Sequence, residues 1–69
     1  MEKIKISDEY IKLGQALKLV GLVESGVDAK YLIQEGIVRV NGEVATQRGK
    51  KLYPGDVIEF ESSQVQIEG

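Results

Sequence analysis

Arg48, Lys50 and Lys51 fall within four residues of one another, with Gly49 between the first two. That is phosphate-binding chemistry. Lysine and arginine neutralise phosphate charge, and a guanidinium can do so through two parallel hydrogen bonds. A glycine lets the backbone come close to a ligand. Three basic residues alone read more simply as a solubilising loop. Lys30 and Gln34 turn the reading toward a binding surface. They stand one helical turn apart, near a helix start where free N–H groups and the dipole favour an anion. Tyr31 beside them is either a stacking platform for an unpaired base or a half-buried packing residue.

Other chemistries find little support. The chain has no histidine and no cysteine, so the commonest general base and the commonest covalent nucleophile are missing. Glu59 and Glu61 share one face of an expected strand, and an acidic solvated strand end accounts for them. Gly49-Lys50-Lys51 lacks the upstream glycine spacing and the following Ser or Thr of a nucleotide-binding loop. No oxygen cluster suggests a metal. The expectation is a protein that is not an enzyme, with no cofactor and no small-molecule substrate.

Sixty-nine residues make one small domain, 1–69, stabilised by packing alone. The net charge is −2, but it is unevenly spread. Residues 30–51 carry +3, whereas 1–29 carry −1 and 52–69 carry −4. A basic middle on an acidic chain marks a local site. No apolar leader and no membrane-length apolar run is seen, so the expected location is the cytoplasm, without a membrane partner.

The elements that must position these residues follow from periodicity. Ile4 and Ile6 alternate with Lys3 and Lys5, an edge-type strand over 2–7. Leu13, Ala16, Leu17 and Val20 recur at helical spacing, which suggests a helix from about Asp8 to Val20, capped by Ser7 or Asp8 and stopped at Gly21. Gly14 weakens this helix by roughly 1 kcal/mol relative to alanine. Ser25-Gly-Val-Asp28 has capping-box form and opens a second helix, which ends near Glu35 before Gly36. Ala29, Leu32 and Ile33 face inward; Lys30, Tyr31 and Gln34 face out. Asn41-Gly42 marks a type I′ hairpin between Ile37–Val40 and Glu43–Thr46. Residues 47–51 form a polar loop. Tyr53-Pro-Gly-Asp56 fits a type II turn, and Val57–Phe60 and 64–68 form the last strands. The fold class is α+β, with two helices packed on a small, mainly antiparallel sheet that includes the N-terminal strand.

Leu32-Ile33-x-x-Gly36-x-Val38-x-Val40-Asn41-Gly42, followed by Pro54-Gly55-Asp56, resembles the S4 RNA-binding domain. Its αL motif is two helices followed by a β-hairpin. The match runs from about Leu13 to Phe60. The L-x-Q-x-L-K-L pattern at Leu13–Leu19, the N-terminal strand and Arg48-Gly-Lys-Lys-Leu52 are similar to the stand-alone bacterial YaaA/YbcJ-like group.

The resemblance implies an RNA face on the second helix, the hairpin and its following loop. Lys30, Gln34, Arg48, Lys50 and Lys51 fall at matching positions, with Lys18 and Arg39 as outer members and Tyr31 as a stacking residue. Arg39 reads equally as a strand surface residue. At two positions the chain departs from the common pattern. Gly26 follows the cap serine where many members carry arginine, and Glu35 precedes the helix-end glycine where many carry histidine. The implied partner is structured ribosomal RNA, with the ribosomal subunit behind it, and the implied role is ribosome assembly or translation. The rival is a protein-interaction module that docks a basic partner through the acidic C-terminal strands, Asp56 to Glu68.

Overall fold

A computed structural model describes residues 2–69. The alternating N-terminal segment forms β1 (Glu2–Lys5), with Ile4 buried and Lys3 and Lys5 exposed. It occupies a sheet edge, where its lysines discourage pairing with another chain. Its neighbour is β7 (Ser63–Glu68), in which Val65 and Ile67 are buried. The two run parallel. β7 pairs antiparallel with β6 (Val57–Phe60), β6 with β3 (Val38–Val40), and β3 with β4 (Glu43–Val44). The five-stranded order is β1-β7-β6-β3-β4. The α+β expectation holds, and the sheet is mixed because β1 joins it in parallel.

Val40 opposes Glu43, so Asn41-Gly42 is a two-residue loop, with φ of 53° and 86°. Positive φ at both positions is the type I′ requirement. The Asn41 side chain goes further. Its Oδ1 accepts from the Val57 N–H at 2.9 Å, and its Nδ2 donates to Asp56 Oδ1 at 3.0 Å. Asp56 Oδ2 accepts from the Tyr53 N–H at 2.8 Å, and the Asp56 N–H donates to the Tyr53 carbonyl at 3.0 Å, across Gly55 at φ 101°. The two turns are thereby knitted together.

The first helix differs from expectation. α1 spans Leu13–Leu19, not Asp8–Val20, and neither Ser7 nor Asp8 caps it. Residues 11–12 are extended instead, as β2 (Ile11–Lys12), paired antiparallel with β5 (Lys51–Leu52) in a separate two-stranded sheet. This pairing buries Ile11 and Leu52. It leaves Lys12 as the N-cap, with no side-chain cap bond. The orphan N–H groups of Leu13 and Gly14 donate to the carbonyls of Lys50 and Arg48, at 2.9 and 2.8 Å. The loop therefore caps the helix with its backbone.

Gly21, at φ 79°, follows the end of α1. α2 (Gly26–Gln34) starts at Ser25, whose hydroxyl accepts from the Asp28 N–H at 3.3 Å, and Gly36 at φ 76° follows its end. Leu13, Leu17, Ala29 and Ile33 from the helices join Ile4, Val38, Ile58 and Ile67 from the sheet in one buried cluster. Both helices thus cover one sheet face. Arg39, between buried Val38 and Val40, points from the other. Full burial of each Leu or Ile contributes about 1.5–3 kcal/mol.

Candidate nucleic-acid interface

The basic loop is anchored to the start of α1 by its main chain. Leu13 and Gly14 hold the carbonyls of Lys50 and Arg48, and the Lys50 N–H donates to the Gln47 carbonyl at 3.3 Å. The approach at Gly14 leaves room for no more than a small side chain. A Cβ there would touch Arg48 Cβ at 3.4 Å and the Arg48 carbonyl oxygen at 3.5 Å. A larger side chain would push the loop away.

From this anchor Arg48 reaches the start of α2. Its Nη1 donates to the Gly26 carbonyl oxygen at 3.1 Å. The guanidinium also occupies space that a side chain at 26 would take, since a Cβ there would lie 3.1 Å from Nη1. A cation delivered from the loop thus stands where α2 begins. Lys30, Gln34 and Arg48 line one shallow groove with Ile33, Thr46 and Gln47. Lys50 lines a second groove on the hairpin side, which Thr46 and Gln47 also border. The two grooves share that wall.

Lys51 turns to a third location. Its Nζ lies 4.8 Å from the centroid of the Tyr10 ring, and Tyr10 and Tyr53 stand 6.0 Å apart, tilted by 50°. Across the small sheet Lys12 is directly opposite Lys51. Lys30, Gln34, Arg48, Lys50 and Lys51 are all exposed. The one ion pair among the described residues joins Lys3 and Glu68 at 3.3 Å, so none of these cations is neutralised by a carboxylate within 4.0 Å.

The other expected residues lie elsewhere. Lys18 is exposed in the last turn of α1, at the end away from the loop, where it complements the helix dipole. Arg39 is in register with Glu59 and lines a hollow with Glu59 and Glu61. Tyr31 is 64% exposed, but it borders a hollow lined by Leu22, Glu24, Asp28 and Leu32, with no cation. The structure does not bring these three together with the loop. Lys12, Tyr10 and Tyr53 escaped the sequence reading. Tyr10 and Lys12 lie within a segment expected to be helical, and the β2–β5 pairing is what brings them beside Tyr53.

Among the described residues, no group of three or more His, Cys, Asp or Glu side chains is placed to hold a metal. Nor is any helix long and apolar enough to cross a membrane. The arrangement is a cationic surface with open grooves and two exposed backbone turns beside it.

The chain belongs to the S4 domain family, whose sequence model matches residues 4–68. It is 50% identical over 58 residues to RlbA of Bacillus subtilis (strain 168), named as a probable ribosome maturation protein; the match covers 84% of this chain and 82% of that one. It is 40% identical over 58 residues to YbcJ of Escherichia coli (strain K12), provisionally named as an RNA-binding protein, covering 84% and 83%. The solution structure of Escherichia coli YbcJ, described as revealing an αL motif involved in RNA-binding, superposes with a TM-score of 0.75 at 34% identity. The superposition covers 100% of this chain and 89% of that one. The two helices and the sheet are therefore the αL arrangement.

Proposed function

We propose that this protein binds structured ribosomal RNA without catalysing a reaction, and that it acts in ribosome assembly or maturation in the bacterial cytoplasm. RNA binding is supported by membership of the S4 domain family and by the names of two relatives. The observation that carries the reading is the Arg48 guanidinium bonded at the Gly26 carbonyl. It supplies a cation at the helix start, where many family members carry an arginine of their own. Lys30 and Gln34 extend that contact along α2. Lys50 and Lys51 continue it along the loop. Phosphates are the groups these side chains would meet, and the ribosomal target rests on the relative named for ribosome maturation.

The acidic C-terminal strands give the rival less support. Glu68 is paired with Lys3, and Glu59 lies in register with Arg39, so these acids already have cationic neighbours. The test is ultraviolet crosslinking in cell lysate followed by sequencing of the attached RNA. Ribosomal sequences should dominate in the parent protein and fall in a Lys30→Ala/Arg48→Ala variant. Recovery of protein partners with no enriched RNA would overturn the reading.

A further inference from the structure

Lys12 and Lys51 face each other directly across the β2–β5 ladder. Like charges in that relation are destabilising. Neither has a carboxylate within 4.0 Å, so no acidic side chain offsets the pairing of these two cations. The same place holds an aromatic pair. Lys51 Nζ sits over the Tyr10 ring at 4.8 Å, and Tyr53 lies 6.0 Å from Tyr10. Tyr53 is 44% exposed, so part of its ring is free.

We infer that Tyr53, Tyr10, Lys12 and Lys51 form a second RNA contact, which takes an unpaired nucleotide. The base stacks on Tyr53, braced from behind by Tyr10. The adjoining phosphate lies between Lys12 and Lys51 and supplies the anion that neither lysine finds within the chain. Stacking on tyrosine accepts any base, because each has a π-face. The contact therefore selects single-stranded RNA next to a structured element, rather than a sequence. It rests on the RNA-binding reading above and adds to it. The loop that runs from Arg48 to Lys51 joins the helix groove to this site, so one RNA can occupy both.

The test uses two RNA probes, a blunt 12-base-pair duplex and the same duplex with a four-adenosine 3′ overhang. The parent protein should bind the overhang probe about tenfold tighter. Tyr53→Ala should abolish that advantage and leave duplex binding unchanged, and Tyr53→Phe should keep it. Lys12→Gln should also reduce the advantage, through the phosphate rather than the base. Circular dichroism should give each variant the parent's spectrum. Equal binding of both probes by the parent would overturn this inference alone, provided that Lys30→Ala/Arg48→Ala still weakens duplex binding. Tyr53→Ala weakening both probes equally would overturn it too. Absence of binding to either probe would overturn both readings.

Discussion

Arg48 and Gly26 are complementary. The guanidinium donates to the Gly26 carbonyl at 3.1 Å and fills the space that a Cβ at 26 would need. One residue supplies the charge and the other makes room for it. Arg48→Ala should weaken RNA binding about tenfold and change stability by less than about 1 kcal/mol, because the bond is exposed. Gly26→Arg/Arg48→Ala should recover most of that affinity, since the clashing partner has been removed and a cation returned to the helix start. Fluorescence anisotropy against one structured RNA reads both. Failure of the double variant to recover would mean that the loop arginine has some other role.

The cations Lys30, Arg48, Lys50 and Lys51 set the salt dependence. If about four phosphates are neutralised, log affinity should fall with log salt at a slope of roughly −3 to −4. Lys50→Ala/Lys51→Ala should make the slope shallower by roughly 1–2. Anisotropy titrations across a series of salt concentrations check this. An unchanged slope would remove these lysines from the interface.

Asn41 holds two turns at once, so its substitutions separate two effects. Asn41→Gly accepts the positive φ but loses both side-chain bonds to Asp56 and Val57. It should cost about 1–2 kcal/mol. Asn41→Ala loses the same bonds and also carries the strain of φ 53°, so it should cost roughly 1 kcal/mol more. Urea denaturation gives both values. Equal costs would show that the backbone relaxes at this turn.

Gly14 is tight against the loop without being overfull. A Cβ would make ordinary contacts at 3.4, 3.5 and 3.8 Å, and alanine is the better helix former. Gly14→Ala should raise stability by about 0.5 kcal/mol and leave RNA affinity unchanged. Gly14→Leu should displace Arg48 and lower both. Thermal melts with parallel binding measurements decide it.

The legible parts of the fold were those determined by neighbouring residues. Asn41-Gly42 and Pro54-Gly55 dictate their turns through backbone conformation alone, and Ser25 caps its helix from three residues away. Two-residue strands such as β2 and β5 carry no period to detect. Their pairing depends on segments far apart in the chain. The start of α1 was misread for the same reason, because its cap is a pair of loop carbonyls rather than a side chain. At the candidate site, the basic loop was visible as composition. The bond from Arg48 to Gly26 was visible only as a gap, a glycine where an arginine is common. Lys12 and Tyr53 had no local signature pointing to each other, since the small sheet is what brings them near.

The parallel pairing of β1 with β7 places Glu2 beside Val65 and Lys5 beside Glu68. Closing that contact spans almost the whole chain, and such non-local closure is entropically slow. During synthesis, β1 is made well before β7. Until residues 63–68 have left the ribosomal tunnel, Ile4 has no strand to lie against and β6 remains an open edge. The surface that would grip RNA, built from α1, α2 and the 47–51 loop, is complete in sequence before that. Its sheet is sealed only once β7 emerges to join β6 and β1.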